Sequence, residues 1–212
     1  MSASLVGSEM CIRDRFGLNI EDIYNVLVVT GDPIPAADRQ EVKGVFSFNS
    51  QLLAGYIRDL NETTFPHPFL IFGALNVNAA NFKQELLKAK QKIQQGVQAF
   101  LTQPIHSAKG LQNLQQAHRE LDAWILGGVM PIVSYRNALY MKNEIAGIEV
   151  DDAILSRYEH KNREEAAVLA VTIAKATIDE MASFVDGFYL ITPFHRVEIM
   201  QQIIAHIQQM DD

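Results

Sequence analysis

Residues 25–32, Asn-Val-Leu-Val-Val-Thr-Gly-Asp, constrain the fold more than any other stretch of this chain. A short β-branched run stops at Thr30-Gly31 and leaves one carboxylate, Asp32, just beyond its last residue. Four later apolar runs stop as abruptly: Phe69–Phe72 before Gly73-Ala74-Leu75-Asn76, Ala99–Leu101 before Thr102-Gln103, Trp124–Leu126 before Gly127-Gly128-Val129-Met130-Pro131, and Phe188–Ile191 before Thr192-Pro193. Helical patterns separate them. Strand, polar tip and helix in repetition is how a (β/α) barrel brings the carboxyl ends of its strands to one mouth. Asp32 and Gln103, each at such a tip, are the first candidates for chemistry.

The intervening patterns support parallel α/β architecture. Phe48, Leu52, Leu53, Tyr56, Ile57 and Leu60 recur at helical spacing, which predicts an amphipathic helix over 47–60. Pro33 and Pro35 forbid a regular element before it and predict a loop to Lys43. Phe82, Leu86, Ala89, Ile93 and Val97 mark a helix face, and Gly96 stands where a helix commonly stops. Further helices are expected from about Ser107 to Glu120, from a Ser134 cap through Asn143, in a short turn capped by Asp151, over Glu164–Ala182, and from about His195 to Gln209. Five strands are counted, whereas a closed barrel of this class has eight and about 250 residues. No Gly-x-Gly-x-x-Gly follows Asp32, so a dinucleotide-binding doubly wound sheet is not favoured.

With 212 residues, 48% of them hydrophobic, the chain is long enough for one sizeable core. A net charge of −7 without any basic cluster argues against a nucleic-acid partner. No apolar run approaches the roughly 20 residues a membrane helix needs. The single Cys11 cannot form an internal disulfide, which fits a reducing cytoplasm. The six histidines are dispersed, with no His-x-His or His-x-x-x-His pair, so surface or hydrogen-bonded histidines are expected and no metal set. Met1–Arg15 shows no helical or strand period. Its Ser4-Leu5-Val6-Gly7-Ser8-Glu9-Met10-Cys11-Ile12-Arg13-Asp14-Arg15 resembles a translated sequencing-adapter peptide, and residues 1–15 are set aside as a non-native or disordered tail before a domain spanning 16–212.

Four segments occur in one order and at suitable spacings: Val28-Val29-Thr30-Gly31-Asp32-Pro33, Phe100-Leu101-Thr102-Gln103-Pro104, Gly128-Val129-Met130-Pro131-Ile132 and Leu190-Ile191-Thr192-Pro193-Phe194. Together they resemble the carboxyl-terminal five-eighths of the methylenetetrahydrofolate reductase barrel. The Thr-Pro-Phe-x-Arg ending at Arg196 is most similar to the form fused to a homocysteine methyltransferase domain. The resemblance implies an incomplete (β/α)8 TIM barrel and a flavoenzyme. In that family NADH or NADPH reduces FAD, and the flavin reduces 5,10-methylenetetrahydrofolate to 5-methyltetrahydrofolate. It also implies a folate substrate, a place in one-carbon metabolism, and room for a homo-oligomer.

The resemblance assigns roles residue by residue. Asp32 matches the acidic residue beside the flavin and folate, where a carboxylate disfavours an anionic reduced flavin and favours a cationic iminium form of the folate; the alternative is a turn residue before Pro33. Gln103 matches the folate-contacting glutamine, and a primary amide both donates and accepts; the alternative is a satisfied polar strand end. Lys92, Gln91, Lys88 and Glu85 match the helix that holds the FAD phosphates and ribose, against the alternative of a solvated helix face. Gln91 and Thr30 each replace an arginine common in relatives. Thr30 and Gly31 are expected to offer backbone contacts, and Asn49 and Ser50 to line the helix start over the phosphates. Leu75 stands where relatives often place an aromatic against the flavin. Tyr135 matches an aromatic that covers folate and nicotinamide in turn, the alternative being a helix residue that packs on the barrel; Arg196 is placed to reach the folate glutamate carboxylate as a planar fork, the alternative being a cap on a neighbouring strand.

The family's general acid, a glutamate on the first strand, has no counterpart, because the resemblance begins just before the fourth strand. The expectation is therefore a reductase parent and an inactive fragment that binds FAD weakly, with Val26–Val29 and Phe188–Ile191 as open edges. Two alternatives stay open: a pterin-binding methyltransferase barrel without flavin, and a non-catalytic fragment.

Overall fold

The computed structural model describes residues 8–30 and 49–210. Gly31, Asp32 and the proline-containing loop to Lys43 lie outside the described residues. Five parallel strands alternate with helices, and the strands take the order β1-β2-β3-β4-β5. The chain divides into two compact units, Met1–Ala74 with Lys88–Ala99, and Leu75–Leu87 with Phe100–Asp212.

In the first unit, β1 (Asn25–Val28) pairs in parallel with β2 (Leu70–Leu75), in register from Asn25↔Leu70 to Val28↔Gly73. Strand alternation turns Val26, Val28 and Ile71 into the core and leaves Leu27 and Val29 exposed. The first helix, α1 (Ser8–Ile20), begins inside the stretch set aside as a tail, and Phe16 on it meets Phe65 edge-on at 5.1 Å. Phe65 meets Phe69 in the same way. Ser8–Arg15 thus share one helix with the residues that follow; an aperiodic sequence does not prevent helix, it only removes the pattern that announces one.

Helix α2 (Ser50–Thr63) buries Leu53, Ala54 and Ile57, each fully burying side chain contributing on the order of 2 kcal/mol where it is aliphatic and large. Helix α3 (Phe82–Gln94) ends as expected at Gly96, whose φ of +100° is a left-handed conformation that favours glycine. A Cβ there would also meet Arg58 Cβ at 3.0 Å.

The second unit contains β3 (Ala99–Pro104) from Phe100 onward, α4 (Ala108–Glu120), β4 (Trp124–Val129), α5 (Tyr135–Glu144), α6 (Asp152–Arg157), α7 (Arg163–Met181), β5 (Gly187–Leu190) and α8 (Val197–Gln208). β4 and β5 pair in parallel from Leu126↔Gly187 to Val129↔Leu190. Helix α7 turns Ala166, Ala170, Ile173, Ala174, Ile178 and Met181 inward, and its start is held by a reciprocal capping box between Asn162 and Glu165. Ile132, Ala138, Met141, Val150, Tyr158, Ala166 and Ile173 form one buried cluster. Ser107 and Ser134 cap α4 and α5 through their hydroxyls. Asp151 does not cap α6 with its side chain; its Oδ2 instead accepts the Ala108 amide at 2.8 Å, at the start of α4.

Candidate functional site

Parallel strands present their carboxyl ends on one side, so the residues just past each strand are the natural site in each unit. In the first unit, Thr30 follows β1 and Asn49 and Ser50 open α2. The Thr30 hydroxyl donates to Ser50 Oγ at 3.1 Å and accepts the Ser50 amide at 3.0 Å. Asn49 Oδ1 accepts the Leu52 amide at 2.9 Å, the side-chain cap that Asn favours. Gln51, beside Ser50, donates its side-chain amide to Gln91 Oε1 at 3.0 Å. Lys92, half-buried on α3, donates to the Ala74 carbonyl at 2.7 Å, near the end of β2. Lys88 is exposed one helical turn before it. Hydroxyls, primary amides and ammonium groups therefore gather along the start of α2 and the last turns of α3.

Leu75 is the last residue of β2. On β2 the period of two puts residues 71, 73 and 75 on the buried side, and Leu75 is fully buried. Its side chain packs in the core of the described residues.

In the second unit the loop after β2 is tied down by its asparagines. The Asn76 amide donates to Glu85 Oε1 at 3.3 Å, and Asn76 Oδ1 accepts the Asn78 amide at 3.0 Å. Asn78 donates to the carbonyls of Pro104 at 3.1 Å and Gly147 at 2.9 Å. Glu85 thus helps order a loop in addition to any ligand role. Gln103 is the penultimate residue of β3; Phe100, Thr102 and Pro104 are buried, while Leu101 and Gln103 alternate onto the half-exposed side. Tyr135 opens α5 beyond β4 and is 37% exposed. Arg196 lies beyond β5, and its Nε donates to Glu198 Oε1 at 2.6 Å. That hydrogen bond is the main cause holding the Glu198 carboxyl below its ordinary pKa. Val129 and Leu190 are register partners, so the segments carrying Tyr135 and Arg196 leave adjacent strand ends.

Sequence reasoning missed His106. Expected at the surface or satisfied, it is instead 6% exposed, and its Nε2 has no hydrogen-bond partner. Burial pushes its pKa down to about 4. Ile105, Val129, Ile132, Ala170, Ile173 and Thr177 surround a space of about 10 Å³ beside it. Tyr158 has a buried hydroxyl, also without a partner, and burial raises its pKa. No spacing announces either burial. Phe194 and His195 adopt positive φ of 46° and 57°, a strained pair just past β5. Among the described residues no group of three or more His, Cys, Asp or Glu could hold a metal ion, and no helix is long and apolar enough to cross a membrane.

No curated protein matches the chain. Among solved structures it is similar to an uncharacterized protein from Clostridium thermocellum that binds two copies of 5-methyl-5,6,7,8-tetrahydrofolic acid. The TM-score is 0.53 at 15% identity, and the match covers 77% of this chain and 59% of that one, so this chain spans less than two thirds of its solved neighbour. At that identity the likeness speaks to the α/β fold. The model of the methylenetetrahydrofolate reductase family matches residues 18–208, nearly the whole chain. The chain belongs to the methylenetetrahydrofolate reductase family.

Proposed function

We propose that this chain is the folate-facing part of a flavin-dependent reductase that converts 5,10-methylenetetrahydrofolate to 5-methyltetrahydrofolate, with NADH or NADPH as the hydride source. The observation that carries this reading is the family match over residues 18–208, which includes Gln103 at the carboxyl end of β3. The binding of methyltetrahydrofolate by the similar Clostridium thermocellum protein adds support.

FAD, when bound, supplies the hydride relay between nicotinamide and folate. The residues of the first unit fit such a group by chemistry: Thr30 and Ser50 hydroxyls, the Gln51 and Gln91 amides and the Lys88 and Lys92 ammonium groups suit phosphates and ribose. Lys92 supplies the cation, and Thr30 and Gln91 bond as neutral groups where relatives commonly carry arginine. Glu85 would take ribose hydroxyls. Gln103 holds the pterin edge, donating and accepting through one amide. Asp32, just past β1 in the sequence, keeps the reacting region negative and favours the iminium form of the substrate. Tyr135 covers the heterocycle, and Arg196 exchanges Glu198 for the folate glutamate carboxylate.

Flavin titration tests the reading. The purified chain mixed with FAD should shift the visible flavin spectrum, and 5-methyltetrahydrofolate added to that mixture should shift it again. A chain that binds 5-methyltetrahydrofolate but never flavin would support the flavin-free pterin-binding barrel instead.

A further inference from the structure

We propose that Thr102 and Gly128 are positioning residues that aim the Gln103 side chain, a role that rests on the folate reading of Gln103. Gln103 lies between two ties to one residue of the neighbouring strand. The Gly128 amide donates to Thr102 Oγ1 at 2.7 Å, and the Ile105 amide donates to the Gly128 carbonyl at 3.3 Å. Thr102 Oγ1 also donates to the Gln103 carbonyl at 3.1 Å. One buried hydroxyl therefore fixes both the neighbouring strand and the peptide that carries Gln103.

Gly128 makes this approach possible. A Cβ on it would lie 2.6 Å from the Thr102 carbonyl oxygen and 2.9 Å from the Gln103 carbonyl carbon and oxygen. These are backbone atoms, which cannot swing aside as a flexible side chain can. With the Gln103 backbone fixed at both sides, the origin of its side chain is held on the half-exposed face of β3. Preorganising a binding group removes the ordering cost it would otherwise meet on binding.

The experiment combines two readouts on the full chain. Side-chain amide resonances of Gln103, assigned through Gln103→Ala, report its environment without ligand. Calorimetric titration with 5-methyltetrahydrofolate reports binding. Thr102→Val should move the Gln103 amide signals and weaken binding about tenfold, the scale of one lost hydrogen bond to the ligand. Thr102→Ser, which keeps the hydroxyl, should restore both. Added to Gln103→Ala, Thr102→Val should weaken binding no further. If Thr102→Val fails to fold, Thr102→Ala replaces it.

Unchanged Gln103 signals in the hydroxyl-free variant overturn the proposal, whatever the affinity. Equal weakening with and without the Gln103 side chain also overturns it. Signals that move in a chain that never binds the folate uphold the positioning and overturn the folate reading.

Discussion

At Gly128 a hydrogen in place of a methyl decides how near β3 and β4 come, and Gly187 on β5 offers the matched control. The nearest atom to a Cβ on Gly187 is Leu126 Cγ at 3.9 Å, an ordinary separation, whereas Gly128 faces carbonyl atoms at 2.6 and 2.9 Å. Gly128→Ala should lower unfolding free energy by about 1–3 kcal/mol through overpacking, while Gly187→Ala should be close to neutral; equal denaturation midpoints would contradict the geometry. His106 makes a pH prediction. Its folded pKa is lowered by burial to about 4 from an ordinary 6.5. The unfolded chain therefore binds the proton first, and stability held above pH 6.5 is lost as pH falls toward 4, by on the order of 3 kcal/mol. His106→Leu should flatten that acid limb in urea melts across this range. An unchanged slope would mean that His106 is not the group responsible.

At the scale of elements, periodic patterns were readable and long-range capping was not. The five apolar runs became β1–β5 because β-branched residues and alternation leave a local mark, and Gly96 ended α3 because a left-handed residue is marked by its type. Ser107 and Ser134 were legible for the same reason: their partners lie three residues on. Asp151 was misread because its partner, Ala108, lies 43 positions away, and local rules cannot see that distance. The burial of Leu75 follows from alternation on β2 and could have been counted in the sequence. The Thr102–Gly128 hydrogen bond and the burial of His106 have no local mark at all. Asp151→Ala should destabilise α4 by about 1 kcal/mol as a lost cap, seen as faster hydrogen exchange at Ala108 and its neighbours. Exchange unchanged at α4 but raised within α6 would restore the local-cap reading.

For the whole molecule, strand order sets β1 and β5 at the ends of the described sheet. Leu27 and Tyr189 on these strands are exposed at 44% and 38%, and Val29 just past β1 at 55%. Exposed apolar edges template pairing with other chains, so the isolated protein should associate as concentration rises. Val29→Lys, which places a charge on the exposed side of the edge, should raise the monomer fraction in sedimentation velocity. A wild-type monomer over the whole accessible range would contradict this. The family assignment covers residues 18–208, yet the proposed chemistry comes down to one amide at one strand end. Calorimetric titration of 5-methyltetrahydrofolate into the wild-type chain and into Gln103→Ala tests it most directly. The account predicts saturable binding that weakens about tenfold or more when the amide is removed; equal affinity in the two proteins would contradict it.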